Sequence, residues 1–300
     1  MEQHEKPSLD GRVALVTGSS RGIGRAIAQR LAAAGATVIV TARSVQAPRA
    51  GQRFGQAQII AGTLAETVEL IENAGGRAIA LAADLEKPED RDSLITRAIA
   101  AAGRLDILVN NAGFADYARV EDMPDATFDR TVDHYLRAPF ALIKQVVPHM
   151  KERGDGWIVN IGSVTALQVG RPYADYTKSG GDVVYASIKA ALHRFTQGIA
   201  AELIDHGIAA NVVGPSTAIR TAGANALIPE DYPTEDVEYL AETVLAMCHR
   251  PASERTGLIA FSMHYPWATR LQVMSLDGKT PLPRREPPPW SHPAIHATGE

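Results

Sequence analysis

The chain has 300 residues, 45% of them hydrophobic and 21% charged, which is enough apolar material for a large α/β core. The formal net charge of -4 leaves no positive surface for nucleic acid, and no apolar run is long enough to cross a membrane. The polar residues 1–7 do not predict a signal peptide, and the single cysteine, Cys248, excludes an internal disulfide. We therefore expect a cytoplasmic protein without nucleic-acid or membrane partners.

Strand-like apolar runs alternate with helix-like segments along most of the chain. This alternation predicts an α/β fold, a single doubly wound Rossmann-type domain with a parallel seven-stranded sheet. The predicted strands are 13–17, 37–42, 78–83, 105–110, 157–162, 209–213 and 258–261. The predicted helices are 21–34, 64–74, 88–102, 126–153, 181–205 and 234–249.

A glycine-rich turn joins the first strand to the first helix. Residues 18–24 read Gly-Ser-Ser-Arg-Gly-Ile-Gly, and the helix pattern after them ends at Gly35. A strand, a glycine-rich turn and a helix present backbone N–H groups and the positive helix end to a pyrophosphate. The turn therefore predicts cofactor contacts, which we assign to Gly18, Ser20, Arg21, Gly22, Ile23 and Gly24.

Turn and polar residues follow the ends of six predicted strands. In an open α/β sheet, ligands bind outside the carboxyl ends of the strands, so these residues are expected to lie along one edge. They are Gly18, Arg43, Asp84, Asn111, Ser163 and Pro215.

Tyr185 and Lys189 stand four residues apart at the start of a helical pattern, so both lie on one helix face. A nearby cation favours the phenolate, so we expect Lys189 to lower the Tyr185 pKa towards the range of general acid–base catalysis. Tyr173 and Tyr176 also follow Ser163, and distance along the chain favours Tyr176. Neither has a lysine at the fourth position after it, so we select Tyr185. The Ser163 hydroxyl can stabilise charge on a substrate oxygen.

Together, the glycine turn, the run Asn110-Asn111-Ala112-Gly113, Ser163 and the Tyr185/Lys189 pair resemble the short-chain dehydrogenase/reductase family over about residues 9–265. The resemblance implies one domain that binds NAD or NADP, with Ser163, Tyr185 and Lys189 as catalytic residues and with metal ligands absent. We also expect a homodimer or homotetramer.

The same resemblance implies further cofactor contacts. Lys189 would bind the nicotinamide ribose, with Tyr185 beside the cofactor, and Asn111, Ala112 and Gly113 would steady the central strand. The remaining predicted contacts are Asp84 and Leu85 with the adenine, Pro215 after the sixth strand, and Ile219 or Ala218 with the carboxamide.

The end of the second strand bears on the choice of cofactor. NAD sites place a carboxylate there to accept from the ribose 2′-hydroxyl, whereas an arginine accommodates a 2′-phosphate. This chain has Arg43 at that turn and a second cation, Arg21, in the glycine turn. We therefore expect NADP(H) to be preferred, with NAD(H) possible.

The sequence also departs from the family pattern. Tyr135 stands where the family commonly has an asparagine. The stretch 164–182 is long, and we expect it to be a mobile lid that governs substrate choice. The proline-rich residues 277–300 predict a disordered tail or, alternatively, an arm on a neighbouring subunit anchored by Trp290. The predicted organisation is an extension at 1–8, a catalytic domain at 9–276 and this tail.

The sequence thus predicts an NADP-dependent oxidoreductase that interconverts a carbonyl and a secondary alcohol. Its substrate would be a small molecule, and Val169, Tyr173 and Tyr176 in the lid favour an apolar or ring-bearing one. The alternative is a catalytically weak or inactive nucleotide-binding regulatory or scaffold protein on the same fold.

Overall fold

A computed structural model describes residues 7–47, 51–53, 56–114, 116–225 and 228–300, with the backbone alone at residues 51–53, 56–58 and 176. The strands are β1 Val13–Thr17, β2 Thr37–Ala42, β3 Gly51–Arg53, β4 Gln56–Gln58, β5 Arg77–Ala82, β6 Ile107–Asn110, β7 Gly156–Ile161, β8 Ile208–Gly214 and β9 Ile259–Phe261. The α-helices are α1 Gly22–Ala33, α2 Leu64–Asn73, α3 Pro88–Ala102, α4 Asp125–Val132, α5 Ala138–Arg153, α6 Asp175–Ser179, α7 Val183–Leu203, α8 Val237–Ala246 and α9 His264–Thr269.

The main sheet has seven parallel strands in the order β5-β2-β1-β6-β7-β8-β9. The strand order reverses between β1 and β6, where Val16 pairs with Val40 on one side and Val109 on the other. In doubly wound folds, ligands bind at the crevice that this reversal opens. The predicted fold class is confirmed, and each strand lies within two residues of its predicted bounds.

Helices cover both faces of the sheet, which explains why the central strands are apolar throughout rather than alternating. One core cluster joins α1, α2 and α8 to the sheet, with Ile27, Leu31 and Leu240 almost inaccessible to solvent. The other joins α3, α5 and α7 to the opposite face, with Leu94 and Leu142 fully buried. The fold therefore leaves only the strand ends free to build a site.

Local sequence signals fix the ends of several helices. The Thr63 side chain accepts from the Glu66 N–H while the Glu66 carboxylate accepts from the Thr63 N–H, and this capping box starts α2. Helix α3 begins with Pro88 and ends at Gly103, whose φ of 78° is left-handed.

Four elements differ from the sequence prediction. The predicted helix 126–153 is divided by a π-helical segment at Asp133–Arg137, between α4 and α5. Short elements also occupy stretches predicted as loop, namely the hairpin β3–β4, the helix α6 in the lid, and the helix α9.

Residues 277–300 correct the expectation of a disordered tail. The Pro283 carbonyl accepts from the Tyr239 hydroxyl at 2.6 Å, and the Gly299 carbonyl accepts from the Ile259 N–H of β9 at 2.7 Å. The Trp290 ring lies edge-on to Tyr232, 5.7 Å between centroids. Proline lacks an N–H donor but keeps its carbonyl, so a proline-rich segment can still hydrogen-bond to the domain.

Candidate functional site

A cavity of about 380 Å³ lies at the carboxyl ends of the strands, around the point where the strand order reverses. It collects fifteen of the predicted residues from separate parts of the chain. They are Gly18, Ser20, Arg21, Gly22, Ile23, Gly24, Arg43, Asp84, Leu85, Asn111, Ala112, Gly113, Tyr185, Lys189 and Pro215.

The glycine turn approaches the end of β6 closely. Gly18 has a left-handed φ of 66°, and a Cβ on Gly24 would lie 2.4 Å from Asn111 Nδ2. The Asn111 amide in turn donates to the Thr17 carbonyl at 2.8 Å. Only glycine fits at residue 24, and the close turn leaves the start of α1 open to the cavity. This cradle suits the pyrophosphate of a dinucleotide cofactor.

Positive charge is concentrated where β2 ends. The Arg21 pKa is lowered, first by burial and then by the neighbouring guanidinium groups of Arg43 and Arg25. Arg21 donates to the Ile60 and Ala61 carbonyls, which directs its side chain across the mouth of the cavity. Like charges held together in this way favour an anion between or beside them. The electrostatics of this end therefore suit a phosphate group.

Tyr185 lines the opposite end of the cavity and interacts with Ser163, which is buried and is not among the described lining residues. The Tyr185 pKa is raised to about 12 by burial, lowered in part by a hydrogen bond with Ser163, and raised further by the Asp182 carboxylate. The Ser163 Oγ lies 2.9 Å from Thr165 Oγ1 and accepts from the Thr165 N–H. The predicted serine and tyrosine, 22 positions apart in the sequence, thus lie close enough to interact with each other.

The Lys189 ammonium bonds to the backbone near Tyr185, and its Nζ lies 5.7 Å from the centroid of the Tyr185 ring. Its Nζ donates to the Ile161 carbonyl at 2.6 Å, and the side chain is buried. Burial lowers the Lys189 pKa to about 7. The prediction that Lys189 lowers the Tyr185 pKa is wrong for this arrangement, because burial raises that pKa and Lys189 is not among the groups that shift it.

The Tyr135 ring lies against both Lys189 and Tyr185. The Lys189 Nζ lies 4.1 Å from the centroid of the Tyr135 ring, against 5.7 Å for the Tyr185 ring. The rings of Tyr135 and Tyr185 meet edge to face at 5.3 Å, and the Tyr135 hydroxyl donates to the Phe114 carbonyl.

A third group of lining residues was not assigned to the cofactor site from the sequence. The Arg130 guanidinium lies 3.9 Å from the Phe114 ring centroid and donates to Glu86 at 2.7 Å. His134 packs edge-on against the same ring, and burial lowers its pKa to about 4. Phe114 directly follows the predicted Asn-Asn-Ala-Gly run, which was the available signal. The other missed lining residues are Thr41, Ala42, Ser44, Ile60, Gly62, Ala83, Tyr135, Ile161, Gly162, Thr221, Gly223 and Ala224.

Three predicted residues lie elsewhere or outside the described side chains. The Ile219 side chain is buried in the core, because the segment after Pro215 turns inward before Thr221 returns to the cavity. Tyr173 is exposed, and its hydroxyl accepts from Arg171. The side chain of Tyr176 is outside the description, so the choice between it and Tyr185 stays a prediction.

Over the described ranges, no helix has both the length and the apolar character needed to cross a membrane. The same ranges contain no group of three or more His, Cys, Asp or Glu side chains suited to a metal ion.

The parallel sheet, the glycine cradle and the Ser–Tyr pair together define a dinucleotide-dependent α/β oxidoreductase. Residues 12–230 match the model of the protein family described as short chain dehydrogenase. The chain belongs to the short-chain dehydrogenase/reductase family of NAD(P)-dependent enzymes.

Curated relatives are identical to this chain at about a third of the aligned positions. The 3-oxoacyl-[acyl-carrier-protein] reductase FabG of Escherichia coli is 36% identical over 208 residues, 69% of this chain and 74% of the relative. An uncharacterised oxidoreductase of Thermotoga maritima is 35% identical over 210 residues, 70% of this chain and 73% of the relative.

Solved structures resemble the fold over most of its length. A 7α-hydroxysteroid dehydrogenase in complex with NADH and a bile acid is 28% identical, with a TM-score of 0.72 over 86% of this chain and 95% of the other. A putative NAD(P)-dependent gluconate 5-dehydrogenase from Beutenbergia cavernae with bound NADP is 28% identical, with a TM-score of 0.70 over 86% and 97%.

Proposed function

We propose that this enzyme prefers NADP(H) and interconverts a carbonyl and a secondary alcohol on a small apolar or ring-bearing molecule. The observation that carries the proposal is the layout of the cavity. Tyr185, which interacts with the buried Ser163, lies at one end and the guanidinium cluster of Arg21 and Arg43 at the other, with the glycine cradle between them.

A bound nicotinamide would supply or accept the hydride, which the protein's own side chains cannot do. The Ser163 hydroxyl would donate to the substrate oxygen and stabilise the negative charge that develops on it. Tyr185 would give its proton to that oxygen during reduction and take it back during oxidation. Its raised pKa keeps it protonated at neutral pH, which suits the reductive direction.

The arginines support the cofactor preference. A ribose 2′-phosphate brings two negative oxygens, and guanidinium groups can bind such an anion through paired hydrogen bonds. In the relative from Beutenbergia cavernae the bound cofactor is NADP, which agrees with this choice.

Aromatic residues near Tyr185 support the substrate class. The Tyr117 ring lies 5.4 Å from the Tyr185 ring, between centroids. Val169 and Tyr173 in the lid are about half exposed, as residues of an apolar binding surface can be before substrate binds. The acid bound beside NADH in the hydroxysteroid dehydrogenase structure is also ring-bearing.

A panel of cyclic, aromatic and acyclic ketones and alcohols, followed by nicotinamide absorbance, tests the proposal. We expect NADPH-dependent turnover that is fastest with cyclic or aromatic ketones. Tyr185→Phe should lower kcat by about 100- to 10,000-fold without weakening NADPH binding. Tyr176→Phe is the matched control and should change only KM.

Other outcomes would contradict the proposal. NADPH binding without turnover on any member of the panel would favour the regulatory protein instead. An inactive Tyr176→Phe with an active Tyr185→Phe would move the acid–base role into the lid.

A further inference from the structure

The contacts of Tyr135 are those of a residue that sets the position of the Lys189 ammonium. The ring face is the negative part of an aromatic side chain and attracts a cation within about 6 Å of its centroid. Lys189 Nζ lies 4.1 Å from the Tyr135 centroid, and Lys189 is almost completely buried, so little water competes for the charge. The contact with the Tyr185 ring is longer by more than an ångström.

Tyr135 itself is fixed on three sides. Its hydroxyl donates to the Phe114 carbonyl, and its ring meets Tyr185 edge to face. The ring also packs so closely on Gly113 that a Cβ at residue 113 would lie 2.4 Å from Tyr135 Cε1. The π-helical turn Asp133–Arg137 brings it to the cavity together with His134. Such turns interrupt α-helices at a cost and are found frequently at functional sites.

Other groups around the lysine could also set its position. The Ile161 carbonyl accepts a hydrogen bond from Nζ, and the buried His193 is close enough for Lys189 to lower its pKa. The carbonyl fixes one N–H of the ammonium, and a largely neutral histidine contributes no attraction. The Tyr135 ring is thus the described group that both contacts the ammonium and touches the Tyr185 ring.

We propose that Tyr135 is a positioning residue, whose ring face holds the Lys189 ammonium while its edge fixes the Tyr185 ring. The proposal rests on the proposed function, because it assumes that Tyr185 is the acid–base group. In this proposal the Tyr135 ring positions the two residues and the hydroxyl does not. It therefore differs from a structural role in which only the hydrogen bond to Phe114 matters.

Three variants separate the ring from the hydroxyl. Tyr135→Phe keeps the ring and should retain kcat within about threefold. Tyr135→Leu removes the ring and should lower kcat about tenfold, in line with the strength of a buried cation–π contact, while the Kd for NADPH stays within about twofold. Phe140→Leu is the matched control, since this exposed ring on α5 packs on Phe195 and does not line the cavity.

A readout without cofactor or substrate tests the lysine directly. An NMR titration of Lys189 labelled at Cε should give a lower pKa in Tyr135→Leu than in the native protein, and an unchanged one in Tyr135→Phe and Phe140→Leu. The reason is that loss of the ring face removes stabilisation of the charged form. The pH profile of kcat should move in the same direction.

Two outcomes would overturn the proposal. One is an unchanged Lys189 titration and kcat in Tyr135→Leu, with folding verified by its melting temperature. The other is a Tyr135→Phe variant as impaired as Tyr135→Leu, which would assign the effect to the hydroxyl. If Tyr185→Phe itself remained active, the proposed function would fail first, so the two failures are distinguishable.

Discussion

Arg30 of α1 and Glu242 of α8 form a two-point ion pair inside the protein, with Nε–Oε2 at 2.6 Å and Nη2–Oε1 at 3.0 Å. Both side chains are only 2% exposed. The Glu242 carboxylate also accepts from the Met274 N–H, which ties the segment after α9 to the two helices. Burial of a charge costs free energy unless the charge is paired. Loss of either Arg30 or Glu242 should therefore destabilise the packing of α1 on α8.

Glu242→Gln should lower the free energy of unfolding by about 3–5 kcal/mol, because it leaves the Arg30 charge buried and unpaired. Urea denaturation measures this change. The control is Glu254→Gln, which breaks the exposed pair with Arg250 and should cost about 1 kcal/mol or less. Equal effects of the two substitutions would contradict the special role of the buried pair.

Arg43→Asp should weaken NADPH binding by about ten- to a hundredfold and strengthen NADH binding, because a charged hydrogen bond to the 2′-phosphate is replaced by repulsion. Fluorescence titration of both cofactors measures the change. Arg250→Asp makes the same charge change outside the cavity and should leave both affinities near native. Equal native affinities for NADPH and NADH would argue against the cofactor preference.

Glu235 predicts a pH dependence of stability. Its carboxylate accepts from the Ser262 hydroxyl at 2.6 Å and the Thr217 N–H at 3.1 Å, yet burial raises its pKa to about 7. Because the folded chain binds this proton more tightly than the unfolded chain, the stabilisation is complete below about pH 4.5 and is lost as the pH rises through about 7.

The measurement is urea denaturation of native protein and Glu235→Gln between pH 5 and 8. The native free energy of unfolding should fall over this interval by about 2–4 kcal/mol relative to the variant. Glutamine keeps one acceptor oxygen for the Thr217 N–H, can donate from its NH2 to the Ser262 hydroxyl oxygen, and does not titrate. A difference that is constant with pH would contradict the assignment to Glu235.

Deletion of residues 280–300 should lower the free energy of unfolding by about 2–4 kcal/mol, since it removes the bonds to Tyr239 and Ile259. It should also change the substrate profile, because His292 lies near the backbone of Gln168 in the lid. Thermal denaturation and the ketone panel measure the two effects. Pro289→Ala, at an exposed position, is the control.

An unchanged melting temperature after this deletion would contradict a stabilising role for these bonds and agree with the disordered tail predicted from the sequence.

The fold was predictable because its signals are local. The apolar run at Val13–Thr17, the glycine turn after it and the turn or polar residues after six of the strands all lie within short windows of sequence. Parallel pairing then brings the strand ends together without further information. The gathering of Arg43, Asn111 and Tyr185 around one cavity follows from that geometry.

What escaped prediction depends on contacts between distant residues. The Lys189 side chain contacts the Tyr135 ring and the Ile161 carbonyl, which are far from it in sequence, and the raised Tyr185 pKa depends on how completely the site is buried. The Arg30–Glu242 pair spans 212 positions. Proline content likewise does not reveal which carbonyls will find donors, so the packing of the tail was missed.

The bond between Gly299 and Ile259 also affects how copies of the chain can meet. Strand β9 is an outer strand of the sheet, and an outer strand with free N–H groups invites pairing with another molecule. Here the Ile259 donor is already taken by the same chain. The tail thus occupies this donor at the edge of the sheet. Pairing of another copy of the chain with β9 at Ile259 would first require displacement of the tail.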